Sequence, residues 1–394
     1  MRASKRFIAA VAALSLVAAA CGDDDEESAT SEPASSEPAS SDPASTEPTP
    51  TEPPTTEPAS TETPSTEAPA ALDLDTNGDG TVVFGIAAAG PRDDGGYYQA
   101  LVDKAIAVSE ENGYGEPIVV DNITTEDAAT ELANLAEQGV DTIFVGASEI
   151  ADPLTDLIAQ YPDIFWYCNC GAGYPENPGL AQSQDDSSEI SYSAGFATGL
   201  LLQEAGGDNV AFIGCCDLNF EKEAYLAFEL GLQAVNESYT MTYIPTGAFP
   251  FDFDNTAGAT EALNGAITNG ADAVYPYLGG AHEPLVSIAN EQGLITMSAG
   301  SSTACDRTDL DYQIQVKFDG GDYIDSILKE IADGTFHEGD VRVFRVGVDP
   351  EPGAEICEPT PEEAAAMEEL YAQIAAGDFV EAFGAIKGQA YSGG

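Results

Sequence analysis

Basic residues are scarce in this sequence. Lysine and arginine number 12 against 69 aspartates and glutamates, a formal charge of −57. Three of the twelve (Arg2, Lys5, Arg6) crowd the N-terminus, which leaves nine from Arg92 onward. So acidic a chain repels phosphate backbones, and nucleic acid is excluded as a partner. Histidine is scarcer still. His282 and His337 are the only two, and neither Cys168-Asn169-Cys170 nor Cys215-Cys216 has the two-residue gap of a zinc site. There is no Gly-x-Ser-x-Gly elbow, no Walker glycine loop, no His-Glu-x-x-His and no Gly-x-Gly-x-x-Gly after the first strand. Without a nucleophile–base pair the chain reads as a non-enzyme, and no cofactor or metal is expected.

A second absence is local. Between Gly22 and Ala71 there is no aromatic residue and no leucine, isoleucine or valine. That segment has nothing to bury, so no core can offset the entropy of ordering it. Acidic residues recur every five positions from Glu32 to Glu67 among prolines, serines and threonines, a composition that favours an extended tether.

Before the tether stands a basic start, then the apolar run Phe7–Ala20, too short to span a bilayer comfortably. This is the pattern of a secretory signal peptide. It ends Val17-Ala-Ala-Ala-Cys21, similar to a bacterial lipobox, although Ala18 stands where leucine is commoner. Residues 1–20 are thus expected to be removed, Cys21 lipidated, and residues 21–78 to form the tether of an extracytoplasmic protein held to the membrane by lipid alone. Removing Cys21 from the seven cysteines leaves six: Cys168, Cys170, Cys215, Cys216, Cys305 and Cys357. In an exported chain these read as disulfides, with fifteen pairings open.

About 315 residues remain, enough for two domains. Strands are predicted at Thr81–Ile86, Glu116–Val120, Thr142–Val145 and Ile164–Cys168. Helices are predicted at Tyr97–Asn112, Asp127–Gln138 and Pro153–Tyr161. That alternation signals a parallel sheet covered on both faces. The grammar repeats downstream. At an offset of 131 residues Leu132 matches Leu263, Gly139 matches Gly270 and Asp141 matches Asp272, each set closing a helix and opening a strand. Two lobes are expected: 79–205 with part of 318–340, and 206–310 with part of 341–394.

Recognition should sit where strands end. The loop Ala89–Gln99 after the first strand offers Asp94 and the adjacent rings of Tyr97 and Tyr98, suited to a flat ligand rich in hydrogen-bond donors. Gly279, Gly280 and His282 follow a later strand end. His337 lies in a polar turn and is expected to be solvated. Asp73-x-Asp75-x-Asn77-Gly78-Asp79 copies half a calcium loop, but Phe84 occupies the twelfth position and no helix flanks it, so a polar turn is expected.

The region Thr81–Gly388 resembles the basic membrane protein family, the PnrA-like nucleoside-binding lipoproteins of ABC importers. The resemblance rests on Asp94-Gly-Gly-Tyr-Tyr-Gln99, on LAEQGVDTIFVGASEIADPLTDLIAQYPDIFW, and on Gly247-Ala-Phe249, Asp254 and Gly279-Gly280. Gln313–Lys317 and the ending Phe383-Gly-Ala-Ile-Lys extend it. It implies an α/β type I periplasmic-binding-protein fold, two Rossmann-like lobes joined by a three-crossover hinge, with a purine nucleoside or similar polar ligand between them and an ABC permease as partner. Carried over, Tyr97 and Phe249 would stack on the base and Lys317 would hold the sugar. Carboxylate positions of the family fall at Asn169 and near Gly300, where this chain has none. Other small solutes, sugar-like or amide, or a sensor lipoprotein without a transport role, are the alternatives.

Overall fold

The structure is a computed structural model that describes residues 74–171, 174–247 and 252–392. The signal peptide, Cys21 and nearly all of the tether lie outside the described residues, as does Phe249.

The first lobe opens with β1 (Phe84–Ala88), α1 (Tyr97–Asn112), β2 (Ile118–Val120), α2 (Ala128–Ala136), β3 (Thr142–Gly146) and α3 (Leu154–Gln160). It continues through β4 (Phe165–Asn169) and β5 (Leu180–Asp185). Buried β3 shows why both sheet faces are covered: Ile143 and Val145 enter the core beneath α2 and α3, whereas Phe144 enters the core beneath α1. The chain then leaves for the second lobe through α4 (Ser187–Ala205), β6 (Asn209–Gly214), α5 (Asn219–Val235), β7 (Thr240–Pro245) and α6 (Thr256–Thr268). There follow β8 (Ala273–Pro276), α7 (His282–Gln292), β9 (Ile295–Thr296) and β10 (Ile314–Lys317). It returns to the first lobe for α8 (Gly320–Ala332) and β11 (Val341–Phe344), and ends in the second with β12 (Gly353–Ile356), α9 (Pro361–Ala376) and α10 (Val380–Tyr391).

The first sheet runs β11-β5-β4-β3-β1-β2, all parallel. The second runs β7-β6-β8-β9 in parallel, extended by a bridge from Met297 to Ile314 into the antiparallel pair β10-β12. Three passages therefore join the lobes, after β5, β10 and β11. Both halves share one plan, and the repeated residues hold equivalent posts. Leu132 and Leu263 are fully buried, and Gly139 and Gly270 turn at φ 79° and 84°. Asp141 accepts from the N–H of Val83 (2.8 Å), and Asp272 from those of Asp208 (2.9 Å) and Asn209 (3.2 Å). Each carboxylate ties a strand's start to its neighbour.

One expected boundary is corrected. Helix α4, assigned to the first lobe through residue 205, packs instead on α5, β10, β12 and α9, so the first lobe's opening stretch ends at Asp186. The reason is steric. Gly195 and Gly231 let α4 and α5 approach so closely that a Cβ on either would lie 2.0 or 2.1 Å from a carbonyl oxygen, of Phe228 or Tyr192.

The half-calcium motif is a turn in its described part. Asp75 accepts from the N–H groups of Asp79 (3.1 Å) and Gly80 (2.8 Å), and Asn77 docks on Asp141. The six cysteines pair as Cys168–Cys170, Cys215–Cys216 and Cys305–Cys357. Among the described residues no helix is long and apolar enough to cross a membrane.

Candidate functional site

A cavity of about 920 Å³ opens between the lobes, and its walls are strand ends. The first lobe contributes Asp94, Tyr97 and Tyr98 after β1, Thr124 after β2, Glu149 after β3 and Asn169 at the end of β4. The second contributes Phe220 after β6, Phe253 and Asp254 after β7, Tyr277 and Gly279 after β8, and Ala299 beyond β9. Asp185 and Phe318 stand at two of the three crossovers, so closing or opening the lobes must move the cavity wall.

Asp94 is 6% exposed and collects the N–H groups of Gly96 (3.0 Å), Tyr98 (3.3 Å) and Gln99 (3.0 Å), which open α1. Burial nevertheless pushes its pKa up, against those bonds, and the Asp254 charge across the cleft adds to the rise. The tyrosine rings beside it meet edge to face at 5.3 Å. From the other lobe Phe220 and Phe253 stack at 6.2 Å, and Tyr277 leans on Phe318 at 5.7 Å. At the rim Gly95, at φ 72°, faces the second lobe so closely that a Cβ would lie 2.5 Å from Oε1 of Glu283. Three polar atoms of cavity residues are buried without a hydrogen-bond partner: Tyr97 Oη, Glu149 Oε2 and Asn169 Nδ2. A buried polar atom left so is costly unless something else satisfies it.

Of the residues expected at the site, Asp94, Tyr97, Tyr98, Asn169 and Gly279 line the cavity together. Gly280 stands just behind, its N–H donating to Asp254 (2.6 Å), and Gly300 backs the Phe318 ring. Two expectations are corrected. The Lys317 ammonium does not line the cavity. It pairs with Glu355 at 2.5 Å, and Gln315, two residues earlier, bonds the same carboxylate (2.7 Å). Alternation on β10 puts Gln315 and Lys317 on the same face of the β10–β12 pair as Glu355, and the next residue, Phe318, lines the cavity. His282 is likewise a core residue, 4% exposed, its ring bonded to the Pro276 carbonyl (2.8 Å) and the Tyr312 hydroxyl (3.2 Å). Burial lowers its pKa, so it stays neutral. Glu149, Asp185, Phe220, Phe253, Tyr277 and Phe318 were not singled out from the sequence. The signal that would have found them is position, since each lies in the connection that opens at a strand's carboxyl end, or at that end itself.

Asp185 carries a pH signature. Burial pushes its pKa up to about 7, opposed by a hydrogen bond from Tyr323 and reinforced by Asp186 and Glu223. A carboxyl whose folded pKa is raised contributes its full stability below its unfolded value and loses it as pH climbs through the folded one. Asp185→Asn is thus expected to raise the urea midpoint of the ligand-free protein at pH 8 and leave it unchanged near pH 4. A difference that does not vary with pH would refute this account.

Solved structures with the same fold include an ABC transporter solute-binding protein from Conexibacter woesei (TM-score 0.57, 19% identity, covering 76% of this chain and 97% of that one). Another, from Aeropyrum pernix, gives a TM-score of 0.62 at 14% identity over 78% of this chain and 99% of that one. A transcriptional activator of the comK gene from Bacillus halodurans gives 0.58 at 16% identity, covering 74% and 96%. At these identities the likeness concerns the fold alone, which is that of the periplasmic binding proteins of ABC transporters. No curated protein matches the chain in sequence. The sequence model of the PnrA-like substrate-binding proteins of ABC transporters matches residues 81–343, and the chain belongs to that family.

Proposed function

We propose that this substrate-binding protein is a lipid-anchored receptor that captures a purine nucleoside, or a close relative, for an ABC importer. The observation that carries the ligand class is the pairing of rings and carboxylates around one cavity. A flat base fits between Tyr97 and Tyr98 on one lobe and Phe220 and Phe253 on the other. Ribose hydroxyls donate to Asp94 and Asp254. Phe249, outside the described residues, precedes Phe253 by four positions in the sequence and is a further candidate stacking ring. The lipobox at Cys21 and the acidic tether support the anchor. Because the crossovers carry cavity residues, ligand contacts differ between open and closed lobes, and that difference drives closure.

A thermal-shift screen against nucleosides, free bases, sugars and amino acids tests the reading. A ligand at a hundred times its dissociation constant adds about 2.7 kcal/mol to stability. A nucleoside should raise the melting temperature, and Tyr97→Ala should remove most of that rise. If sugars or amino acids shift it and no nucleoside does, the ligand class is wrong.

A further inference from the structure

Among the described residues, the charge-bearing side chains that line the cavity are all acidic. Asp94, Glu149, Asp185 and Asp254 line it, with the exposed Glu126, Asp127 and Asp152 beside them. None of the described lining residues is lysine, arginine or histidine. Residues 172–173 and 248–251, outside the described residues, contain no charged residue either. Four basic residues of the two lobes are engaged with other carboxylates. Arg92 holds Asp121 (2.6 Å), Arg307 holds Glu283 (2.6 Å), Lys317 holds Glu355 and Lys387 holds Asp186 (2.7 Å).

Uncompensated carboxylates in a partly desolvated hollow are costly, and folded proteins ordinarily pair them. Here no basic residue among the described ones does. The cost shows in the raised pKa values of Asp94, Glu149 and Asp185, each caused first by burial. Two further features point to a ligand that completes the site. Asn169 is 7% exposed, lines the cavity and leaves its Nδ2 without a partner. Aromatic faces from both lobes surround the same space, and ring faces attract positive charge.

We infer that the solute carries a formal positive charge on or beside a flat ring: the receptor takes an aromatic cation and disfavours its neutral counterpart. This rests on the reading that the interlobe cavity is the solute site, and it narrows the nucleoside class to cationic members. The cation would lie between the tyrosine and phenylalanine rings, near Asp94 and Asp254, with an acceptor on the ligand taking the Asn169 N–H. A phosphorylated ligand is excluded by the same field.

The test uses the full chain and ligand pairs that share a shape and differ in charge. Nicotinamide riboside, a permanent cation, is compared with its neutral dihydro form, and 1-methyladenosine with adenosine. Thiamine is added as an aromatic cation that is not a nucleoside. Titration calorimetry is expected to show the cation of each pair bound about 30-fold more tightly, the ratio that a desolvated cation–π contact alone supplies. Asp254→Asn, at an exposed position, should weaken the cations about tenfold more than it weakens the neutral ligands, which share only the hydroxyl contact. Neutral members binding as well as the cations would overturn the inference while leaving the nucleoside reading intact. Thiamine binding with no nucleoside of either charge would uphold the inference and refute the nucleoside reading. Silence from every probe would overturn both.

Discussion

Replacing Cys305 and Cys357 together by alanine is expected to destabilise the protein by about 4 kcal/mol, the chain-entropy value for a loop of this length. The two cysteines are 52 residues apart. Cys305 lies in the short turn between β9 and β10, and Cys357 follows β12. Between them the chain crosses to the first lobe, builds α8 and β11 and crosses back. The bond therefore closes a loop containing two of the three passages between lobes. In the unfolded chain that closure removes many conformations, and without it folding must order them all. The melting temperature should fall by roughly 10 °C, and reductant should bring the parent protein to the same value. A double variant within 1 kcal/mol of the parent would refute the account. The other two disulfides, Cys168–Cys170 and Cys215–Cys216, close almost no loop, and their removal is expected to cost much less.

The second large effect is at the α4–α5 contact. Gly231→Val should cost about 3 kcal/mol, the upper end for overpacking, because the obstructing atoms are backbone. A side chain facing another side chain can turn aside. The Tyr192 carbonyl, 2.1 Å from the position a Cβ would take, cannot move without carrying α4 with it. Gly195, which meets the Phe228 carbonyl reciprocally, predicts the same result. Helix propensity acts the other way, since valine is the better helix former, but by less than about 1 kcal/mol. Urea denaturation decides it: an unchanged or higher midpoint would mean the helices have room to separate.

These two effects mark the boundary of what was legible in the sequence. Local grammar was legible. The alternation of strand and helix, and the repeat of Leu132, Gly139 and Asp141 at Leu263, Gly270 and Asp272, follow from short-range rules that hold in any parallel α/β unit. The loop after β1 was legible for the same reason, because a strand end is recognisable from the strand. Long-range geometry was not. Nothing near Cys305 names Cys357, and nothing in α4 says which lobe its glycines will press against.

Lys317 shows the difference at a single residue. Alternation along β10 fixes only that neighbours face opposite ways, not which way is inward. That depended on β12, a strand that pairs from the far side of a crossover and supplies Glu355. His282 follows the same logic: a histidine just past a strand end can face the ligand or the core, and the Tyr312 hydroxyl, contributed from the β9–β10 connection, holds it in the core.

The last helix of the described chain has a practical consequence. Tyr391 reaches the cavity wall, and one turn earlier Lys387 holds Asp186, the residue on which the chain first changes lobes. An affinity tag or a shortened gene product that disturbs α10 would alter solute capture as directly as a change in the first loop, although three hundred positions separate them. Fluorescent reporters fused there would sense lobe motion rather than ride passively on it.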